Sequence, residues 1–420
     1  MISQRAPHKV FYGWWIVVAS FLTALYVGGA VFYGFTAFFE PIIEEMGWSH
    51  TQLSLAASLR GLEIGILSPF IGFLVDRVGP RKIIFAGVLT TAVSLVLLSY
   101  ATSLIMFYSA FALMAVGTSA STVTVMLTAI ANWFRRKMGL ASGMAIAGFG
   151  FSGLLVPVIV RLIDLYDWRQ TMIILAIGMI VLILPLSLVF RHRPEEYGYF
   201  PDGQAEGLPI PLPGSGSSAT AEDGLNVRQA LRSRTFWRLA LARMYLMITM
   251  MTIITHVMPY LKSVGINRAT SSLVATALPL TSIIGRMSFG WLGDKMNQRL
   301  VAAASFVMIS SGVFFFANVS SAQVWVLVPC IALLGVGYGG TNSILPVMAR
   351  KHFGRARFGS VYGLMEGIGA LGSIVGPTLG GWAYDNWGSY RLVWLLLAGL
   401  AVVAVISVAT IAPARGRGNR

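Results

Sequence analysis

Sulfur chemistry is nearly absent. Cys330 is the single cysteine in 420 residues, so no disulfide can form within the chain, and nothing about redox compartment follows. Histidine is sparse too. His8, His50, His192, His256 and His352 are scattered, with no HExxH, no paired metal spacing and no nucleophile elbow, which argues against an enzyme and against any metal or cofactor. Charge is thin: 11% of residues against 56% hydrophobic, with a mean hydropathy of +0.73. That balance excludes the two or three soluble domains the length would allow and indicates a polytopic membrane protein partnered by a lipid bilayer.

What charge there is leans one way, to a net +15. Nucleic-acid binding does not follow, because the basic residues fall in short clusters between apolar runs, the pattern of cytoplasmic loops. Apolar stretches of roughly membrane-crossing length lie at about 12–37, 50–75, 83–100, 103–131, 139–161 and 169–190. Six more lie at about 236–261, 269–292, 300–318, 323–349, 359–384 and 389–412. The first is too long for a signal-peptide core, lacks a small-residue cleavage site and reads as a retained span. Between the sixes, RHRPEE and LPIPLPGSGSSATAEDG form a Pro/Gly/Ser-rich linker unable to bury a core. The expectation is an all-α integral membrane fold of twelve transmembrane helices. An N-terminal six-helix bundle (1–190), a linker (191–234) and a C-terminal six-helix bundle (235–420) make it up.

Lysine and arginine set the orientation. Arg77, Arg81, Lys82, Arg135, Arg136, Lys137, Lys295, Arg299, Arg350 and Lys351, with both tails and the linker, crowd one side, whereas Arg161, Arg169, Lys262, Arg268 and Arg391 lie on the other. The crowded side is therefore cytoplasmic, with both termini inside. The opposite side opens with an acidic loop, FFEPIIEEMGWSH. The halves also repeat. Gly72-Phe-Leu-Val-Asp76-Arg77 matches Gly290-Trp-Leu-Gly-Asp294-Lys295, and at the same offset Arg81 pairs with Arg299, Pro41 with Pro259 and Gly47 with Gly265. Two parallel six-span halves imply a substrate site between them near the midplane.

Gly72-Phe-Leu-Val-Asp76-Arg77-Val-Gly79-Pro-Arg81-Lys82 resembles the GxLxDRxGxRK signature of the major facilitator superfamily. Physically, Asp76 would accept from the first amides of a neighbouring helix while Arg77 and Arg81 meet acids or last-turn carbonyls, latching one side. Gly72, Asp76, Arg77, Arg81, Gly290, Asp294 and Arg299 are the expected gating set. Phe11-Tyr12-Gly13-Trp14-Trp15, Ser58-Leu-Arg60-Gly-Leu-Glu63-Ile-Gly65 and Trp133-Phe134-Arg135-Arg136-Lys137 further resemble the monocarboxylate porters and oxalate:formate exchangers of that superfamily. The resemblance covers the whole chain and implies alternating access and a substrate-binding arginine at Arg286; a plasma (cytoplasmic/inner) membrane location and a monomer are expected. Two departures stand out. Ser282 occupies the place of the aspartate that animal porters carry four residues before the arginine, and Glu366 stands in span 11, where oxalate exchangers place a second cation. The drug:proton antiporter motif GxxxGPxxGG occurs in span 11, at Gly372–Gly381, not in span 5, so its glycines read better as close helix packing than as drug export.

Arg286 in the apolar run TALPLTSIIGRMSFGWLG is the leading candidate, since a guanidinium cannot shed its charge inside a membrane. Glu366 lies at a similar depth; the two are read either as carboxylate anchor and proton acceptor or as a structural ion pair. Tyr338 and Asn342 share a helix face, as do Tyr26 and Tyr33, and Thr122 belongs to a Ser/Thr cluster; all five are candidate lining residues. Arg60 and Glu63 read as a local ion pair. Arg243 is expected to snorkel to the interface, and His256 to be an interfacial polar residue. A proton-coupled symporter of a small monocarboxylate such as lactate or pyruvate is the first functional expectation. An organic-anion exchanger is the second, with a drug antiporter or a transport-like receptor behind it.

Overall fold

The computed structural model describes residues 11–59, 61, 67–121, 123–134, 137–197, 227–353 and 358–411. Arg60, Glu63 and Thr122 lie outside these residues, as do the side chains of Gly72, Asp76 and Asp294. Among the described residues every regular element is a helix.

α1 (Gly13–Val27), a π-helical turn (Gly28–Tyr33) and α2 (Phe35–Met46) form one rod of 34 residues. The acidic loop expected from Phe38 is thus helical down to Met46, where Gly47 ends it with φ 65. Pro41 does not stop the helix. Its missing N–H frees the Ala37 carbonyl, which accepts from Arg268 Nη2 at 3.3 Å. The repeat reproduces the pattern: Pro259 sits inside its helix and Gly265 has φ 81.

α3 (His50–Ser58) starts at a capping box of Ser49 and Gln52. α4 (Ser68–Val78), ended by Gly79 at φ 88, leads into α5 (Pro80–Ser99), α6 (Leu104–Ser121), α7 (Val123–Trp133) and α8 (Met138–Phe151). α9 (Leu155–Gly178) breaks at Asp167, φ 67, and α10 (Leu184–Ser187) closes this group. After α11 (Val227–Arg232) come α12 (Arg234–Ser263), α13 (Arg268–Lys295), α14 (Gln298–Ala317), α15 (Leu327–Phe353), α16 (Phe358–Trp387) and α17 (Arg391–Ala409). Among the described residues, nine helical segments are long and apolar enough to cross a membrane.

α1–α10 pack among themselves, α12–α17 likewise, and the groups meet where α3 lies on α16, α2 on α12, and α8 and α9 on α13. Small residues bring the site-bearing helices together. A Cβ on Gly339 of α15 would lie 1.9 Å from the Ser282 carbonyl of α13, and Ser343 Oγ donates to the Arg286 carbonyl at 3.1 Å. Cβ atoms on Gly372 and Gly376 of α16 would meet the Met244 and Ile248 carbonyls of α12 at 2.5 Å.

Candidate functional site

One end of the bundle is sealed. Asp385 of α16 accepts from the His50 amide (3.0 Å), the Thr51 amide (2.7 Å) and the Thr51 hydroxyl, so its carboxylate sits on the positive N-terminus of α3. His50 lies between Glu40 (3.5 Å) and Asp385 (3.4 Å), Lys262 bridges Glu40 and Glu44, and Arg268 meets Asp164 at 3.3 Å. Deeper in, the seal is uncharged. Ser58 and Thr378 hydroxyls are 2.8 Å apart, and Thr276 Oγ1 donates to the Gly153 carbonyl at 2.9 Å. His256 belongs here and is not interfacial. It is fully buried, with Nε2 2.8 Å from the Pro377 carbonyl and 3.2 Å from Ser54 Oγ, because Gly380 lets α16 press against its ring.

Toward the other end, the basic one, the groups separate around a cavity of about 830 Å³, a volume ordinary for a small-molecule site. One wall is α8, with Leu140, Gly143, Met144, Ile146 and Ala147; the facing wall includes Arg243, Arg286, Asn342, Ser343, Tyr362 and Glu366. Leu140, Met144 and Met287 at its mouth are exposed. Counting from the basic ends of α12, α13 and α16, the three charged residues lie at one depth, roughly 12–14 Å in at 1.5 Å per residue.

The structure pairs them differently from the sequence reading. Glu366 faces Arg243, not Arg286: Glu366 Oε2 accepts from Arg243 Nη2 at 2.8 Å and from Nε at 3.2 Å. Arg243 Nη1 donates to Asn342 Oδ1 at 2.8 Å, and Asn342 Nδ2 to the Tyr338 carbonyl at 3.0 Å. Arg243 therefore does not snorkel. Its side chain is 11% exposed and that of Glu366 22%, because ion pairing inside the cavity replaces the water the guanidinium would otherwise seek. Arg286 Nε and Glu366 Oε1 have no hydrogen-bond partner among the described residues.

Tyr33 lies within electrostatic reach of Arg286 and Tyr338. Tyr26 turns into its own group, donating to the Leu175 carbonyl at 2.9 Å; none of the three candidate tyrosines, Tyr26, Tyr33 and Tyr338, is among the described cavity-lining residues, and of the sequence candidates only Arg286, Asn342 and Glu366 are. Ser282 is buried one turn from Arg286 and donates to the Pro279 carbonyl, so no acid occupies that place. At the basic end Arg77 lies 4.3 Å over the Phe73 ring, and Arg81 is exposed. Arg299 caps α17 through the Ile411 carbonyl at 2.7 Å, as does Arg238 through the Thr410 carbonyl. A Cβ on Gly290 would meet nothing within 4 Å. Arg243 is the residue that sequence reasoning missed. Its signal was the N-cap at Ser233, which accepts from the Phe236 amide and fixes the helix start early enough to place Arg243 well inside.

The family model of the Major Facilitator Superfamily matches residues 16–263 and again 244–419. The chain belongs to the Major Facilitator Superfamily. It is a multi-pass membrane protein of that superfamily, and its sequence is similar to proteins named monocarboxylate transporters. Monocarboxylate transporter 13 of Rattus norvegicus is 25% identical over 97% of this chain and 91% of that protein. The human monocarboxylate transporter 2 is 23% identical over 94% and 84%. Among solved structures, a bacterial homologue of the human lysosomal transporter Spinster, in an inward-facing and occupied conformation, superposes with a TM-score of 0.70 at 16% identity. That match covers 96% of this chain and 95% of the other, and supports the fold.

Proposed function

We propose that this superfamily member moves a small organic monocarboxylate of the lactate or pyruvate kind, together with a proton, by alternating access. One observation carries the reading: Arg286, a cation that cannot neutralise itself, lines a cavity that is open at the basic end and closed off from the other. The names of the sequence relatives point to the same substrate class. In this reading residues 1–190 and 235–420 are two six-helix halves of a monomer in the plasma (inner) membrane, twelve spans in all. The 191–234 linker, both termini and the mouth of the cavity then face the cytoplasm. Arg286 binds the carboxylate, Tyr338, Asn342 and Tyr33 shape the site around it, and Glu366 takes the proton. Gly72, Asp76, Arg77, Arg81, Gly290, Asp294 and Arg299 latch the cytoplasmic side in the alternate state.

Uptake into proteoliposomes tests this. Lactate or pyruvate uptake is expected to rise when the outside is acid and to vanish in Arg286→Gln; uptake unchanged in that variant would remove the site assignment. The Arg243–Glu366 pair gives a second reading some weight. If Glu366 stays ionised and paired throughout, the protein is an organic-anion exchanger, with uptake that depends on internal counter-substrate and not on pH.

A further inference from the structure

With Arg286 taken as the carboxylate anchor, on which this rests, we infer that Arg243 is a second substrate-binding cation, held off the substrate by Glu366 and freed when Glu366 takes up a proton. Three features carry it. The pair lines the cavity instead of lying in a packed core, so a ligand there meets both side chains. Its geometry is one-sided: Arg243 Nε and Nη2 both converge on Oε2, while the Tyr362 hydroxyl stands beside the same carboxylate. An Arg–carboxylate pair built purely for stability more often engages both oxygens in a fork. Finally, Arg243 is tethered independently through Nη1 to Asn342 Oδ1. On losing Glu366 the guanidinium can pivot about that bond toward a substrate carboxylate and remain in the cavity.

Charge explains why the two events go together. Arg243, Arg286 and ionised Glu366 give this cavity wall one net positive charge. Protonating Glu366 adds one and a monocarboxylate removes one, so the empty and loaded carriers present the same charge when they reorient. Partly buried Arg243 would be left unpaired by protonation alone, and the incoming carboxylate replaces the lost partner. Among the titratable and charged groups here, Arg243 from α12 and Tyr362 from its own helix meet Glu366; Arg286 from α13 lines the same cavity, Tyr338 from α15 lies near Arg243, and Tyr33 lies near Arg286 and Tyr338. The α8 wall contributes none among its described lining residues. Arginine and tyrosine side chains ordinarily keep their protons through the neutral range, which leaves the carboxyl as the group that exchanges one.

The test is binding of lactate, and separately pyruvate, to the purified full-length protein in weakly buffered solution. The wild type is expected to take up about one proton per anion bound, and by linkage its affinity rises on acidification by up to about tenfold per pH unit. Glu366→Gln is expected to bind without proton uptake and with a flat pH profile. Arg243→Gln should bind about tenfold or more weakly, also without pH dependence. Anion binding to wild type with no proton uptake, or a wild-type pH slope in Glu366→Gln, overturns the inference; the wild-type proton count decides even if the variant does not fold. Loss of binding in Arg286→Gln beside such results leaves the anchor standing. Failure of wild type to bind either anion, or undiminished binding in Arg286→Gln, overturns the anchor itself.

Discussion

A guanidinium placed well inside a membrane helix has to find an anion or water, and Arg243 and Arg286 solve that problem differently. Arg243 holds Glu366 at 2.8 Å, whereas Arg286 keeps Nε without a hydrogen-bond partner among the described residues and lines the open cavity. The pair implies a thermodynamic cycle. Arg243→Gln leaves an uncompensated carboxylate; breaking a fully buried pair costs about 3–5 kcal/mol, and this partly exposed, cavity-lining pair is expected to cost less. The double variant Arg243→Gln/Glu366→Gln is therefore expected to melt closer to wild type than Arg243→Gln does, in thermal unfolding of the solubilised protein. Equal melting of the single and double variants would mean the two charges are not coupled. At this scale the sequence was half legible. Arg286 stood out because its flanks are apolar, whereas Arg243 follows Arg234 and Arg238 closely and so read as part of a basic flank.

Among the elements, α16 does two jobs with two faces. Gly372, Gly376 and Gly380 seat it against α12, and Thr378 and Gly381 meet Ser58 and Ser54 of the opposite group. The faces predict different failures. A methyl on Gly376 would lie 2.5 Å from the Ile248 carbonyl, helix backbone that gives little, so Gly376→Ala is expected to destabilise by about 1–3 kcal/mol, read as a lower melting temperature. A side chain on Gly381 would instead strike Ser54 Oγ and the His50 carbonyl across the seal. Gly381→Leu is expected to leave folding largely intact and to prise the sealed end apart. A cysteine introduced at Thr378 should then react faster with a polar thiol reagent, against a low background because Cys330 is 1% exposed. The glycine motif of span 11 was correctly legible as packing. The length of the first rod was not, since the acidic stretch after Phe38 reads as loop, whereas the helix runs through Pro41 to Met46 and the carbonyl that the proline frees finds a donor in another helix.

For the molecule as a whole, the proposed alternating access makes the balance between states turn on how firmly the sealed end is held. Asp385 is the charged centre of that end, accepting from the first two amides of α3. Asp385→Asn keeps shape but gives up a charge-assisted contact, about 1–2 kcal/mol in a partly exposed setting. Faster labelling of the Thr378→Cys reporter in this variant is the expected result, and an unchanged rate would show that the uncharged contacts the reporter leaves, Thr276 with the Gly153 carbonyl among them, hold the seal alone. The internal repeat was visible in paired prolines and glycines, and the family in a single loop motif. Which end is shut was not visible, because under the proposed alternating access one sequence would encode both arrangements.

The α8 wall has a consequence beyond mechanics. Its described lining residues are aliphatic, methionine or glycine, and the charged lining residues stand opposite on α12, α13 and α16. Such a wall discriminates by shape and little else. Cargo preference is then expected to follow the charged wall on α12, α13 and α16 more than the α8 wall. A chimaera carrying this chain's residues 235–420 behind a relative's first half is expected to inherit this chain's substrate choice.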